Sequence, residues 1–480
     1  MGIIGRFFRH TRNILRVLRI GVILARHDAL FVLEAAKAPA MLIGAGKIIR
    51  KRNRKDSPGT RLAHALEAMG PSFIKFGQSL STRADLVGDD VVQGLSRLRD
   101  NLPPFSTKEA RAIIEAELGR PITEMFKAFE DTPVAAASIA QVHFAVTSEG
   151  KEVAVKVVRP RIAEAIARDI ELFFWLAEMV DRLRPELKRF RHKDAVELFA
   201  ASMRLELDLR FEAAAAVELA ENMADEPDFI VPAVDWRRTA CRVMTQERIR
   251  GIRVNEVEQL QNAGHDLKRI VEIAANSFFK QVFRDGFFHA DLHPGNLFVT
   301  ADGKLAAVDF GIMGRIDYDN RLVLAQILHG FLTEDYEMIA RVHREAGYVP
   351  EYITIAEFAQ GCRAIGKPIT GRPLNEISVG QLLSQLVTIA NTYDMYPQPH
   401  LLLLQKTMVV AEGVGRMLYP DINMWQLAEP LIREWMEDHF SVSAQVKQHA
   451  KDMVRVLKRA PDVLRKLEAL IDRELAEKKI

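Results

Sequence analysis

Apolar and polar positions follow two rhythms along this chain. At its start Ile3, Ile4, Phe7, Phe8, Thr11, Ile14, Leu15, Leu18 and Val22 fall at helical spacing, with Arg6, Arg9, Arg12, Arg16 and Arg19 between them. The charged, turn-rich "KRNRKDSPG" at 51 to 59 reads as a linker, and helical periodicity resumes in "FIKFGQSLSTRADLV" and "TKEARAIIEAEL". From about 122 the rhythm changes: "QVHFAVTSEGKEVAVKVV" predicts two alternating, Val-rich strands about a Ser-Glu-Gly turn. A helical region over 160 to 224 follows, then strand candidates "DFIVPAV" and "CRVMTQERI", then helix over 266 to 286. "NLFVTADGKLAAVDFG" predicts a hairpin turning at Asp302-Gly303, and the chain after 318 reads as helical.

Composition narrows what such a chain can be. With 480 residues, 48% of them hydrophobic, it can bury more than one core. Cys241 and Cys362 are its only cysteines, which excludes a disulfide framework and a cysteine-rich zinc site. The net charge of +2 hides an uneven distribution, since residues 1 to 55 hold 13 Lys/Arg against Asp28 and Glu34. A basic head thus precedes a mildly acidic body. Its first helix, apolar on one side and cationic on the other, suits an anionic membrane surface with the arginines on lipid phosphates; the plainer expectation is a helix docked on its own body. Arg16 and Arg19 break any secretory apolar core, and no run of about 18 apolar residues long enough to span a bilayer occurs.

The densest cluster of chemical side chains is "HADLHPGNLFV", 289 to 299. His289 and His293 stand four apart, a zinc spacing when helical, but Pro294-Gly295 argues against a helix and no other His-rich stretch supplies a third ligand. Asp291 and Asn296 stand five apart, the interval of a kinase catalytic loop, in which Asp takes the acceptor proton and Asn holds magnesium. Beyond the predicted hairpin comes Asp309-Phe310-Gly311, where that scheme needs a second magnesium ligand.

The same scheme requires a strand lysine for the nucleotide phosphates, and "EVAVKVV" offers Lys156. Upstream, "AAASIAQV" overlays a glycine-rich phosphate loop with Ala135, Ala137 and Ala140 in the glycine places, which predicts a stiffer loop. Candidate acids for the lysine are Glu206, Asp208 and Glu212 of "ELDLRFEAAA". An early segment "KFGQ", Lys75 to Gln78, gives these acids a second possible partner.

Together these residues resemble the UbiB family of atypical protein-kinase-like proteins, associated with ubiquinone biosynthesis. The resemblance spans roughly 60 to 430 and rests on the K-x-G-Q motif (Lys75, Gly77, Gln78), the loop Ala135, Ala136, Ala137 and Ser138, Lys156, the E-x-D acids Glu206 and Asp208 with Glu212 behind them, Asp291, Asn296 and Asp309. It implies an α+β, bilobal protein-kinase-like fold, with a small antiparallel-sheet N-lobe, a helical C-lobe and a helical N-terminal extension. The implied organisation is a membrane-surface segment and linker at 1–55, a helical extension at 56–120, the N-lobe with a helical insertion at 121–255, the C-lobe at 256–430 and a basic tail at 431–480.

The resemblance further implies that Lys156 pairs with Glu212, that Ala135 to Ser138 and Lys156 hold ATP, and that Asn296 and Asp309 carry Mg2+ with Asp291 catalytic. The K-x-G-Q helix, through Lys75 and Gln78, is implied to cover the cleft and to meet Glu206 and Asp208 in a regulatory role. The implied activity is that of an ATPase or atypical kinase supporting ubiquinone synthesis. Its implied partners are anionic membrane lipids, polyprenylated quinone precursors and ubiquinone-biosynthesis enzymes, without nucleic acid. The expected location is peripheral, at the cytoplasmic face of a bacterial inner membrane, the mitochondrial matrix side being the alternative. No A-P-E follows Asp309, so an ordinary activation segment is not expected. Two other functions fit the same loop: a small-molecule phosphotransferase, which gives Lys75 and Gln78 no task, and a nucleotide-gated adaptor without turnover.

Overall fold

The computed structural model describes residues 3–35, 40–49, 56–81, 87–95, 98, 102–184, 192–370, 389–390, 392–395, 398–422, 427, 430–431 and 433–435. The linker at 51 to 55 and the basic tail after 435 lie outside the described residues.

Strands among the described residues are β1 (Phe126–Phe129), β2 (Ala135–Ala136), β3 (Ala140–Thr147), β4 (Glu152–Val158), β5 (Phe229–Ile230), β6 (Val243–Glu247), β7 (Gly251–Arg253), β8 (Phe287–His289), β9 (Leu297–Thr300), β10 (Leu305–Ala307) and β11 (Met313–Arg315). The first sheet is antiparallel in the order β1-β3-β4-β6, with β2 added on β3. The predicted hairpin forms as β3 and β4, and Gly150 adopts the positive φ of 87° that its turn requires. A second sheet runs β5-β10-β9-β7. Its β9–β10 hairpin closes at Asp302-Gly303, with Gly303 N–H donating to Thr300 O at 2.9 Å. This is the expected α+β kinase-like fold with a helical N-terminal region.

Side-chain alternation on β4 positions the chemistry. Val153, Val155 and Val157 enter one core with Ala110, Ile113, Ile114, Met125 and Phe126, so Lys156 must leave on the opposite face. That core makes helix Thr107–Leu118, assigned from sequence to the helical extension, a packing partner of the first sheet. The predicted helical stretch 160 to 224 divides into Ile162–Leu183, His192–Glu206 and Leu209–Asn222. In the extension, helices Pro58–Met69 and Asp89–Leu95 cross at Gly59 and Gly94, where a Cβ on Gly94 would lie 2.0 Å from the Gly59 carbonyl carbon.

Contacts divide the chain into two units. One comprises Met1–Ile273, Phe288–Arg315 and Pro397–Leu418, and therefore holds every predicted site residue. The other comprises Ala274–Phe287, Ile316–Tyr396 and Tyr419–Ile480. Its helices Tyr318–Leu332 and Tyr336–Glu345 are capped by Asp317 and Asp335, and Ile355–Thr370 packs beside the second of them.

The first helix, Ile3–Arg26, meets the plainer of its two expectations at Arg12 and Arg16, which dock it on the chain's own body. Arg12 Nη2 bonds Glu171 at 2.5 Å, and Arg16 pairs with Asp169 and donates to Arg168 O at 2.6 Å, all on helix Ile162–Leu183. Carboxylates of the same chain take these two guanidinium groups, while Ile14, Leu15 and Leu18 are left exposed. No helix among the described residues is long and apolar enough to cross a membrane.

Candidate functional site

Helix Leu209–Asn222 begins where Asp208 accepts the Arg210 N–H, and this places Glu212 in the first turn. There both Glu212 carboxylate oxygens receive Lys156 Nζ, at 2.7 and 2.9 Å. The implied lysine–glutamate pair is therefore formed. Lys156 Nζ also reaches Asp309 Oδ1 at 2.8 Å, so one ammonium bridges two carboxylates.

Electrostatics separate the two acids. The charge of Lys156 is the main reason that Asp309 lies well below the carboxylate range, whereas burial dominates at Glu212 and pushes it up to about 7. Burial works to lower the Lys156 ammonium, but Asp309 and Glu212 override it and hold the lysine above its ordinary value. Asp309 is thus the more readily ionised of the two acids, and it keeps 48% of its side-chain surface exposed. It also has φ +66°, an uncommon left-handed conformation for a residue with a side chain. Phe310 beside it is buried, its ring 5.5 Å from that of His289.

The catalytic-loop candidate is wired by its first histidine. His289 is fully buried and held neutral by burial; its Nε2–H donates to Val308 O at 3.2 Å while Nδ1 accepts the Asp291 N–H at 3.2 Å. Both ring nitrogens are used, and His293 Nδ1 accepts the Gly295 N–H at 3.1 Å, so the zinc spacing is met by scaffolding histidines. No group of three His, Cys, Asp or Glu gathers for a metal among the described residues. Asn296 Nδ2 donates to Asp291 O at 3.2 Å and lies 3.4 Å from Asp291 Oδ2, which ties these two residues together. Thr407 of helix Pro399–Leu418 supports the loop by donating to Ala290 O at 3.2 Å.

The K-x-G-Q segment lies on helix Pro71–Leu80. Lys75 Nζ meets Glu206 Oε2 at 3.1 Å, and Gln78, half-buried, is almost one turn further along the same helix. A Cβ on Gly77 would stand 2.5 Å from Leu98 and 2.6 Å from Leu66, so glycine permits the close approach there. Asp208, by contrast, does not share the task implied for it with Glu206. Its carboxylate caps a helix and binds Arg210 at 2.9 and 2.6 Å, because the chain turns between residues 206 and 209 and points the two acids to different partners.

The alanine-rich loop is regular. Ala135 pairs with Val142 and Ala136 with Gln141, and Ala137 N–H donates to Ala140 O at 2.7 Å to close a tight turn. No residue from 135 to 140 has positive φ, so this turn forms without glycine. Ser138 Oγ is buried with no hydrogen-bond partner among the described residues. Sequence reading missed Arg159 and Gln141. Arg159 binds this turn, and the Gln141 amide exchanges hydrogen bonds with the Phe105 backbone at 3.0 and 3.3 Å. The "VVRP" that carries Arg159 holds no signal of such contacts, which lie across the fold.

Residues 97–343 match the ABC1 atypical kinase-like domain and 362–423 the UbiB helical domain. A probable protein kinase UbiB of Marinobacter nauticus is 41% identical over 85% of this chain and 76% of its own length. Its counterpart in Cellvibrio japonicus is 39% identical over 94% of this chain and 81% of its own. Among solved structures, Rv3197 of Mycobacterium tuberculosis in complex with erythromycin is 25% identical, covering 76% of this chain and 93% of that one, with a TM-score of 0.49.

Proposed function

Since the chain belongs to the UbiB family of atypical kinase-like proteins, we propose that it binds ATP and performs magnesium-dependent phosphate chemistry, as an ATPase or atypical kinase supporting ubiquinone synthesis at a membrane surface. The observation that carries this reading is Lys156 held between Glu212 and Asp309.

In this reading Lys156, oriented by Glu212, binds the α/β-phosphates of ATP, and Asp291 orients water or an acceptor hydroxyl. The Ala135–Ser138 turn lies over the phosphates, with the Ser138 hydroxyl a candidate donor to them. The residues present suit magnesium, which takes hard oxygen ligands and relies on substrate phosphates for part of its shell. Asp309 offers an ionised, half-exposed carboxylate, and Asn296 Oδ1 accepts no hydrogen bond among the described residues. Magnesium bound there would neutralise charge on the phosphates. A small-molecule phosphotransferase leaves the Lys75–Glu206 pair without a purpose, so the UbiB-type reading accounts for more of the cleft.

For location we propose peripheral contact with an anionic leaflet, on the cytoplasmic face of a bacterial inner membrane. What supports it is the exposed Ile14, Leu15 and Leu18, with exposed Arg19 beside them.

The test is ATP hydrolysis by the purified chain, with and without cardiolipin-containing vesicles and a polyprenylphenol analogue. Turnover that falls at least about 100-fold in Asp309→Asn supports the assignment. Equal turnover in that variant refutes it, and tight nucleotide binding with no phosphate release selects the adaptor.

A further inference from the structure

Helix Leu209–Asn222, which carries Glu212, buries Leu209, Ala213, Ala216 and Leu219. Between the two leucines this face offers only methyl groups, and such short knobs interlock shallowly with a neighbour. The helix therefore depends on polar anchors for its orientation. One is the Lys156–Glu212 pair. A second lies further along, where Arg315 meets Glu218 with both arms of its guanidinium, Nη1 to Oε1 at 2.7 Å and Nη2 to Oε2 at 2.5 Å.

Arg315 belongs to the segment of Asp309. It ends β11, which begins one residue beyond Asp309-Phe310-Gly311. That strand is held in place: Ala290 N–H donates to Ile312 O at 3.0 Å, and a Cβ on Gly314 would stand 2.1 Å from the Phe288 ring. Gly311 lies beside both acids, since a Cβ there would be 3.6 Å from Asp309 Oδ1 and 3.9 Å from Glu212 Oε2. The helix and the Asp309 segment are thus joined twice, by Lys156 between Glu212 and Asp309 and by Arg315 on Glu218.

A bound nucleotide would act on these two joints differently. Magnesium on Asp309 and phosphate on Lys156 both compete with the Lys156–Asp309 bond, whereas Arg315 and Glu218 take no part in it. With 66% and 38% of their side-chain surfaces exposed, Arg315 and Glu218 contribute little to folding stability. Their bidentate geometry fixes direction instead. In protein kinases the activation segment helps to set the helix that carries the glutamate; here no A-P-E follows Asp309.

We infer that Arg315 and Glu218 are positioning residues, whose ion pair holds helix Leu209–Asn222 in register with the Asp309 segment and keeps Glu212 aimed at Lys156 when Asp309 turns to magnesium. This rests on the nucleotide reading given above. Neither residue contacts the nucleotide; both act through Glu212.

The experiment measures kcat and KM for Mg-ATP hydrolysis, Kd for Mg-ATP and melting temperature. It compares the wild-type chain with Arg315→Gln, Glu218→Gln, the two together, and the reversed pair Arg315→Glu with Glu218→Arg. Each single variant should lower kcat/KM at least about fivefold while the melting temperature scarcely moves. The doubly neutral variant should fall no further than either single one, and the reversed pair should recover about half of the loss or more. If the chain binds Mg-ATP without hydrolysing it, the same comparison is read in Kd. Losses that add in the doubly neutral variant overturn the inference, as does unchanged kcat/KM in both single variants, with or without a lowered melting temperature. A wild-type chain that binds no nucleotide overturns the nucleotide reading as well, so the two failures are told apart.

Discussion

Lys75 and Glu206 form an ion pair of 3.1 Å, with only 10% and 14% of their side-chain surfaces exposed. The lysine charge also reaches Asp309, where it helps hold the carboxyl low. A charge that favours the ionised acid over its protonated form repels a divalent cation by the same field. Lys75→Met should therefore lower, by roughly threefold or more, the Mg2+ concentration giving half-maximal ATP hydrolysis; a magnesium titration checks it. The variant should also lose stability, because Glu206 keeps its burial and loses its cation, and Glu206→Gln added to it should restore part of the melting temperature.

His343 provides a pH dependence away from the cleft. It is buried against Tyr348 and Phe358, donates from Nδ1 to Ile339 O at 2.8 Å, and has its pKa lowered by burial to about 4. The unfolded chain takes up this proton near pH 6.5, and the folded chain refuses it until about pH 4. Stability present above pH 6.5 is therefore lost as pH falls through that interval, by at most about 3 kcal/mol. Urea unfolding from pH 7.5 to 4 should show a smaller acid loss in His343→Asn than in the wild-type chain.

At the first helix, apolar exposure and arginine pairing can be tested separately. Replacing Ile14, Leu15 and Leu18 by Gln should reduce sedimentation with anionic vesicles several-fold. Because all three are exposed, the melting temperature should scarcely move. Arg16→Ala should instead loosen the helix from Asp169 and raise protease cleavage near residue 28. Vesicle binding unchanged by the triple substitution would remove the membrane role from this face.

The crossing at Gly59 and Gly94 leaves no room for a methyl group. Gly94→Ala should destabilise the chain by at least about 2 kcal/mol, measured by denaturant unfolding, since only backbone displacement can relieve the overlap. Gly119→Ala offers a contrasting case: nothing crowds a Cβ there, and its cost comes from the φ of +68° alone.

Much of the site could be read from local sequence. Strand alternation in "EVAVKVV" put Lys156 on the face opposite the valine core, and the Asp302-Gly303 turn marked the hairpin between Asn296 and Asp309. Five-residue spacing also tied Asp291 to Asn296, which lie in one loop and touch. Such features are legible because turn chemistry and side-chain period act over a few residues.

Pairing over longer distances was decided by folding. Glu206, Asp208 and Glu212 are near neighbours in sequence, yet one meets Lys75, one caps its own helix and one holds Lys156. The direction taken by the first-helix arginines, the clamp of Arg159 on the alanine turn and the neutral tautomer of His289 have the same origin. Each depends on which surfaces pack together, and Lys156 is separated from Asp309 by 153 positions. Local composition supplied the charges and donors, while burial and packing chose their partners.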